Sequence, residues 1–380
     1  MTDWSREFRA RFDGAPQLFW APGRVNLIGD HIDYCGGPVL PMPIQFGTSV
    51  AVRLTDSGLV RAKSMNDSEP IEFRIGAPVE LPHGSWGRFV EGATSVLAHE
   101  GVRIGGADIL VGGDIPGSGL SSSASLTVGL IYAFSHAANR PHAPLQLALS
   151  AQRVEHEFVG VQCGLMDQAV IALAQPGAAL LFDCSNHRHR PIVLNDTAVR
   201  FVVVDTGRAR QLVDSAYNAR FAETRAAAGS LGVEHRLFAT LDVGEFESRC
   251  TRILDPVVQR RARHVVSESA RVARVAAALE ARDWPMLGRA LSQSHASLRD
   301  DYEVSCTELD ALAEALESQP GCYGARMTGA GFGGSVVALV DAECVDSVLR
   351  SASATYRQRF GSTPRAFVAE SLGGVRSVDG

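Results

Sequence analysis

Three titratable side chains lie within four positions of a segment that is flanked by apolar residues. The stretch "GDHIDYCGG" (29–37) places Asp30, His31 and Asp33 between the runs "APGRVNLI" and "PVLPMPI". Buried charges need a partner, and a polyhydroxylated ligand can supply one because each hydroxyl both donates and accepts hydrogen bonds. The segment is therefore a candidate sugar site, although a single histidine in such a setting more often has a structural role.

A glycine- and serine-rich stretch follows a strand pattern and precedes a helical one. It reads "GGDIPGSGLSSSASLTVGLIYAF" and covers 112–134. Glycines allow close approach of a ligand, and a helix N-terminus offers free N–H groups to an anion. A serine-rich N-cap on a tight turn is the alternative. The pattern predicts a phosphate-binding loop made of Gly117, Ser118, Gly119, Leu120, Ser121, Ser122 and Ser123.

A second glycine cluster, "ARMTGAGFGGSVVAL", covers 325–339. Its residues Gly329, Gly331 and Gly333 precede a strand, whereas a Rossmann fingerprint has its glycines between a strand and a following helix. Taken alone, this cluster could be a mobile turn. Together with the first loop, it is predicted to form the other wall of a phosphate site.

Two carboxylates stand in the mainly apolar stretch "EHEFVGVQCGLMDQAV" (155–170). Glu155 lies near the end of a helical pattern, and Asp167 lies on the turn that opens the next one. Either acid could be a helix cap or a surface residue. The functional alternative is one metal ligand and one catalytic carboxylate.

Alternating strand and helix patterns predict how these segments are positioned. A second alternation starts at "RFVVVDTG", after strand and helix patterns have alternated through the first half. Long helices are predicted at about 214–230 and 257–281, and a third opens at Asp283, a plausible N-cap. The length of 380 residues indicates two domains. The turn-rich stretch before the second alternation places their boundary near residue 190, which gives domains 1–190 and 191–380, with the last strand able to pack back on the first domain.

Composition argues against several classes of protein. The net charge of −6 favours neither nucleic acid nor an anionic membrane as a partner, and no apolar run approaches the roughly 20 residues of a membrane span. The charged N-terminus and seven scattered cysteines without a CxxC pair favour a reduced, cytoplasmic protein. Lys63 is the only lysine, so no Gly-Lys-Ser/Thr run is present for a Walker loop.

Taken together, these segments resemble the galactokinase branch of the GHMP small-molecule kinases. That family carries motifs of the form GRVNLIGEHTDYNGG, GLSSSAS, CGxMDQ, VDSEYN and TGAGFGG. This chain has "GRVNLIGDHIDYCGG", "SGLSSSAS", "CGLMDQ", "VDSAYN" and "MTGAGFGG" in the same order. The resemblance covers about 19–370, which is nearly the whole chain.

The resemblance implies a two-domain α+β GHMP kinase fold. Its N-terminal domain would be ribosomal protein S5-like, its C-terminal domain ferredoxin-like, and its active site would lie in the cleft between them. The implied activity is an ATP-dependent sugar 1-kinase that converts galactose and ATP to galactose 1-phosphate and ADP with Mg²⁺. The expected partners are the sugar and ATP, and the expected state is a monomer or weak oligomer.

The resemblance also assigns residues to roles by their positions in the motifs. The catalytic positions are Asp167 and Arg24. The Mg²⁺ positions are Ser122, or a neighbouring serine, and Glu155. The positions that hold the sugar are Asp30, His31, Asp33, Gly164 and Tyr217. The aromatic positions near the adenine are Trp86 and Phe89, which could equally be core residues.

Departures from the family motifs leave two alternatives open. Asp30 stands where the family usually has glutamate, and Arg210 stands where it tends to have histidine. The shorter Asp30 leaves room for a different substituent, so the substrate could be a related sugar such as galacturonate or an amino sugar. Galacturonate would be the candidate if Arg210 points into the pocket. A non-catalytic sensor of sugar and ATP is the alternative from another class; the presence of Asp167, Arg24 and Glu155 argues against it.

We expect Asp167→Asn to lower turnover by orders of magnitude while ATP binding is kept, because the substitution removes the carboxylate that orients or deprotonates the attacking hydroxyl. Steady-state kinetics and calorimetric titration with ATP measure the two effects separately. Turnover close to that of the unaltered protein would contradict the assignment of Asp167.

Overall fold

The computed structural model describes residues 2–208 and 213–378, and these form thirteen strands and eleven α-helices. The strands are β1 (Gln17–Asn26), β2 (Pro38–Val39), β3 (Pro41–Leu54), β4 (Leu59–Ser64), β5 (Ile71–Arg74), β6 (Ala107–Gly113), β7 (Ala178–Asp183), β8 (His189–Val193), β9 (Val199–Asp205), β10 (Cys322–Thr328), β11 (Ser335–Asp341), β12 (Arg365–Val368) and β13 (Arg376–Ser377). The helices are α1 (Trp4–Arg9), α2 (Gly87–His99), α3 (Ser122–Ala137), α4 (Pro144–Val154), α5 (Met166–Leu173), α6 (Val213–Leu231), α7 (Val243–Arg249), α8 (Pro256–Ala281), α9 (Trp284–Asp300), α10 (Thr307–Glu317) and α11 (Val345–Phe360).

Three sheets organise these elements. A six-stranded sheet has the order β13-β1-β3-β6-β4-β5, and a three-stranded sheet has the order β2-β7-β8. A four-stranded antiparallel sheet, β10-β11-β9-β12, is built only from strands that follow residue 198. Helices and mainly antiparallel strands together make the predicted α+β class. Within the described ranges, no helix combines the length and apolar character needed to cross a membrane.

The last strand returns to the first half of the molecule, which is the part before the connection at 194–198; the second half is the part after it. β13 pairs with β1 through Phe19↔Ser377 and Trp20↔Arg376, so it completes the edge of the six-stranded sheet. The predicted domain boundary at residue 190 lies inside β8 and stays a prediction. The pairing of strands would place such a boundary in the connection at 194–198.

Helix α3 carries the phosphate-loop motif into the core. Its residues Val128, Ile131 and Phe134 are fully buried, and α3 packs on β1 and β3 on one side and on α2, α4 and α5 on the other. A helix that is apolar on most of its faces is expected in such an interior position. The core therefore fixes the N-terminus of α3 at the place where the glycine- and serine-rich loop ends.

The predicted helix start at Asp283 is confirmed, since its side chain accepts a hydrogen bond from the backbone N–H of Met286 at 3.0 Å.

The long helix α8, which precedes Asp283, holds the sugar-motif segment. Its buried Glu268 accepts a hydrogen bond from the backbone N–H of Gly29 at 3.0 Å. His264, also in α8, contacts the carbonyl oxygen of Asp30 at 3.1 Å. The segment thus lies on a helix from the second half.

Gly36 ends a short 3₁₀ helix (Asp33–Cys35) with a left-handed φ of +77°. A Cβ atom at this position would lie 1.7 Å from the carbonyl oxygen of Arg236, in the 3₁₀ helix His235–Thr240. Only glycine fits, because both the backbone conformation and the close approach exclude a side chain. This contact sets how closely the two halves approach each other beside the sugar motif.

We expect Gly36→Ala to destabilise the fold by about 3–5 kcal/mol, because the clash with Arg236 adds to the left-handed strain. Gly101→Ala is the matched control: its φ is +82° and open space surrounds the new Cβ, so a cost of about 1–2 kcal/mol is expected. Urea unfolding measures both free energies of unfolding, and equal costs would contradict the contact.

Candidate active site

A cavity of about 430 Å³ opens between the two halves of the molecule. It is lined by segments that lie far apart in the sequence: the sugar motif, both glycine-containing loops and the carboxylate-bearing helices. The predicted residues that line it are Arg24, Asp30, His31, Asp33, Phe89, Gly117, Ser118, Gly119, Ser121, Ser122, Ser123, Glu155, Gly164, Asp167, Tyr217 and Gly329. The predicted residues that do not line it are Trp86, Leu120, Gly331 and Gly333.

Asp167 lies in the first turn of α5 and is held by Arg24 from β1. The guanidinium donates twice, from Nε to Oδ1 at 2.8 Å and from Nη2 to Oδ2 at 3.0 Å. Such two-point pairs fix the plane of a carboxylate as well as its position. The remaining Nη1 of Arg24 donates to the carbonyl oxygen of Gly119 at 2.6 Å. Arg24 therefore joins Asp167, the predicted catalytic residue, to the predicted phosphate loop.

The phosphate loop adopts a compact turn that depends on its glycines. Gly117 has a φ of +84°, and a Cβ there would lie 2.3 Å from Oδ2 of Asp205, at the end of β9. Ser335, which opens β11, donates to the carbonyl oxygen of Ser118 at 2.9 Å. Elements of the second half therefore hold this loop over the N-terminus of α3.

The three successive serines differ in environment. Ser121 has a left-handed backbone, φ +61° and ψ +46°, and its hydroxyl donates to Oδ2 of Asp167. A non-glycine residue in this region costs about 1–2 kcal/mol. Ser122 and Ser123 begin α3 and are exposed at the cavity. The first serine thus faces the carboxylate, and the next two face the space in front of the helix.

Glu155 is a buried carboxylate at the point where α4 continues into a π-helical segment (Glu155–Val159). Gln168 donates to its Oε1 at 2.8 Å, and no cation pairs with it in the part of the chain that the structure describes. Burial raises its pKa to about 7. A buried acid without a cation is a fitting place for a metal ion, although the described residues contain no group of three or more His, Cys, Asp or Glu that could hold one.

Asp30 is engaged by residues of the second half. Arg326, fully buried in β10, donates from Nη2 to Oδ2 of Asp30, and the backbone N–H of Gly329 donates to Oδ1 at 3.1 Å. Burial raises the pKa of Asp30, and the Arg326 guanidinium opposes that shift. The acid at which this chain departs from the family motif therefore forms an ion pair across the cleft and also lines the cavity.

His31 is fixed in one tautomer by its neighbours. Its Nε2 lies 3.2 Å from the carbonyl oxygen of Ala330, which can only accept, so the proton is on Nε2. Nδ1 then accepts from the hydroxyl of Tyr34 at 3.0 Å, and that hydroxyl accepts from Tyr302 at 2.7 Å. Burial lowers the pKa of His31 to about 3. The ring is neutral, and Tyr217 lies 5.5 Å from it between centroids.

Asp33 lines the cavity near the pair of Asp167 and Arg24. A Cβ on Gly164 would lie 2.1 Å from its Oδ2, so the close approach of this segment requires glycine. Burial raises the pKa of Asp33 to about 7, and the negative charge of Asp167 adds to the shift. Two neighbouring carboxylates thus differ in environment: Asp167 has a guanidinium partner, and Asp33 has none among the described residues.

The remaining predicted residues do not line the cavity. The indole N–H of Trp86 donates to the carbonyl oxygen of Glu69 at 3.0 Å, and Leu120 is buried. A Cβ on Gly331 would lie 2.1 Å from the carbonyl oxygen of Val304. Only Gly329 and Ala330 of the second glycine cluster reach the cavity, and they lie against the sugar motif. Arg210 lies outside the described residues.

Sequence reasoning did not single out three residues that position the site. Arg326 lies in the quoted "ARMTGAGFGG", where a cation before an otherwise uncharged loop was the available signal. Gln168 belongs to the "CGLMDQ" motif, next to Asp167. Tyr302 follows α9 in no recognisable motif, so only the three-dimensional structure shows its contact with Tyr34.

Family models match three parts of the chain. The GHMP kinases N terminal domain matches residues 88–175, and the GHMP kinases C terminal model matches residues 275–358. The mevalonate kinase of Methanococcus jannaschii has the same fold, with a TM-score of 0.64 at 18% identity over 95% of this chain and all of that chain. The fold and the site define a GHMP kinase, as predicted.

The chain belongs to the galactokinase family. A galactokinase galactose-binding signature matches residues 6–54. Galactokinases of Chloroflexus aggregans and a Roseiflexus species are 41% and 40% identical, over 97% and 94% of this chain and 95% and 92% of theirs. The Lactococcus lactis galactokinase crystallised with galactose has a TM-score of 0.95 at 34% identity, with 98% of each chain covered.

The stability of the protein is expected to depend on the ionisation of Asp33. The unfolded chain releases this proton near pH 3.8 and the folded chain near pH 7. The folded state therefore binds more protons between these values, and stability falls as the pH rises, by at most about 1.4 kcal/mol per pH unit. Asp33→Asn, which cannot ionise, should gain stability relative to the unaltered protein from pH 5 to pH 8. Parallel pH profiles of thermal unfolding would contradict this.

Proposed function

We propose that this protein transfers the γ-phosphoryl group of ATP to the anomeric hydroxyl of galactose, giving galactose 1-phosphate and ADP. The observation that carries the proposal is the position of Asp167, which lines one cavity together with the phosphate loop and the sugar motif. The galactose-binding signature and the galactokinase named in complex with galactose support this choice of sugar. ATP use follows from the kinase family.

Asp167 would orient the attacking hydroxyl and accept its proton. Phosphoryl transfer requires alignment of the attacking and leaving oxygens and neutralisation of charge more than covalent chemistry. The two hydrogen bonds from Arg24 hold the carboxylate plane in a fixed direction. Any carboxylate is a far weaker base than an alkoxide, so the hydroxyl proton would be transferred only as the new O–P bond forms.

The triphosphate would lie over the loop from Gly117 to Ser123. The free N–H groups at the start of α3 and the partial positive charge of that helix end favour an anion there. Phe89 lines the same cavity and could contact the adenine, whereas Trp86 does not line it. The nucleotide site would therefore rest mainly on backbone groups.

Mg²⁺ is the expected cofactor, and the residues present fit the way it binds with nucleotides. Glu155 is a buried acid without a cationic partner among the described residues, and the hydroxyl of Ser122 faces the same cavity. One or two protein oxygens are usual for this ion because nucleotide phosphates and water supply the rest. Glu155 and Ser122 would hold the ion, which would neutralise phosphate charge when bound.

The sugar would lie against Asp33, His31 and Tyr217. Asp30, the acid that departs from the motif, already pairs with Arg326, and this guanidinium does not line the cavity. A galacturonate carboxylate would therefore lie near the carboxyl groups of Asp30 and Asp33, and Arg24, the arginine that lines the cavity among the described residues, already pairs with Asp167. The neutral sugar is favoured over the uronic acid, and no observation favours a non-catalytic sensor.

A cytoplasmic location, where ATP is available, suits the proposed activity. The expectation of a monomer or weak oligomer stays a prediction.

The proposed activity is tested by measuring ADP formation with Mg·ATP and a panel of galactose, galacturonate, galactosamine, glucose and arabinose. We expect kcat/KM for galactose to exceed that for galacturonate at least about 10-fold, because an unpaired carboxylate is costly to bury. Asp167→Asn is the catalytic control. Binding of ATP and galactose without turnover would favour a sensor, and a 10-fold preference for the uronate would contradict the choice of sugar.

A further inference from the structure

The catalytic carboxylate receives hydrogen bonds from two sources. Two come from Arg24, and the third comes from the hydroxyl of Ser121, which donates to Oδ2 of Asp167. This third contact is the only one of the three that originates in the phosphate loop. It directly connects the place where the nucleotide phosphates would lie to the group that would contact the sugar hydroxyl.

The backbone of Ser121 adopts a conformation that favours glycine. The loop has glycine at 117 and 119, with φ of +84° and +92°, yet position 121 has serine at a φ of +61°. Left-handed conformations of non-glycine residues persist only where the surroundings determine them, and they cluster at functional sites. The hydroxyl, which glycine would lack, makes the contact with Asp167.

The loop before Ser121 is anchored to Arg24, and Ser121 itself is anchored to α3. The carbonyl oxygen of Gly119 accepts a hydrogen bond from Nη1 of Arg24 at 2.6 Å. The carbonyl oxygen of Leu120 accepts one from the backbone N–H of Arg24 at 3.1 Å. The carbonyl oxygen of Ser121 accepts from the N–H of Ser125 at 2.9 Å, in the first turn of α3. The direction of the Ser121 side chain is therefore set by the backbone.

We propose that Ser121 is a positioning residue whose hydroxyl holds Asp167 for the reaction instead of binding a phosphate oxygen. A hydroxyl has a single proton, so while it donates to Asp167 it cannot also donate to phosphate. Ser122 and Ser123 make no side-chain hydrogen bond within the described residues and remain available to the nucleotide and its metal ion. The inference rests on the proposed kinase activity.

The test compares Ser121→Gly, Ser121→Asn and Ser122→Ala with the unaltered protein, using Mg·ATP and galactose. Glycine removes the hydroxyl and suits the left-handed backbone, and asparagine tolerates that backbone while it supplies an N–H donor. We expect Ser121→Gly to lower kcat about 10- to 100-fold, with both KM values within about 3-fold, because only positioning is lost. Ser121→Asn should recover at least about 3-fold in kcat.

Ser122→Ala should give a different phenotype. Loss of the Ser122 hydroxyl should raise the Mg²⁺ concentration needed for half-maximal rate. A second measurement places Ser121→Gly in the Asp167→Asn background. There its effect on kcat should fall below about 2-fold, because residues that act as a unit are not additive. Thermal unfolding monitors the fold of each variant.

Two results would overturn the inference while the kinase activity stands. One is a Ser121→Gly protein with kcat within about 2-fold of normal and a KM for Mg·ATP raised about 10-fold, which would make Ser121 a nucleotide ligand. The other is equal rates for the glycine and asparagine variants. Absence of galactose-dependent turnover in the unaltered protein is a separate result, which would remove the proposed function and this inference together.

Discussion

Hydrogen bonds between residues 26–31 and residues 326–330 join the two halves of the molecule at the base of the cleft. Thr328 exchanges two hydrogen bonds with the backbone of Asn26, each at 3.0 Å, and Arg326 donates to the carbonyl oxygens of Asn26 and Leu27. Asp30 and His31 complete the contact through Gly329 and Ala330. A ligand-binding cleft between two halves needs such a fixed point, since otherwise its two walls would have no constant separation.

This contact explains why charged groups lie between apolar runs in the sequence motif. The charge of Asp30 is compensated by Arg326, and the neutral His31 has a protein partner at each ring nitrogen. Asp33 differs, because burial and the neighbouring charge of Asp167 raise its pKa, and no cation of the described chain forms an ion pair with it. The three residues share a motif, yet two stabilise the cleft and the third has capacity left for a ligand.

Features that depend on residues close in sequence could be predicted, and features that depend on residues far apart in sequence could not. The phosphate loop, the N-cap at Asp283 and the turn before Asp167 depend on neighbouring residues and could be predicted, and the family motifs extended this to the fold. The pairing of Asp30 with Arg326 spans 296 positions, and the hydroxyl contact of Tyr302 with Tyr34 spans 268. Such contacts depend on packing of the whole molecule, so local patterns did not predict them. Trp86 does not line the cavity, so its predicted place near the adenine stays a prediction.

The pairing of β13 with β1 has a consequence for the order in which the molecule can be completed. The edge of the six-stranded sheet at Phe19 and Trp20 acquires its partner only from Arg376 and Ser377. During synthesis on the ribosome, which proceeds from the N-terminus, this edge stays unpaired until nearly the entire chain has emerged. Unpaired edges are templates for aggregation, so the nascent first half carries an exposed strand for the whole time in which the second half is made.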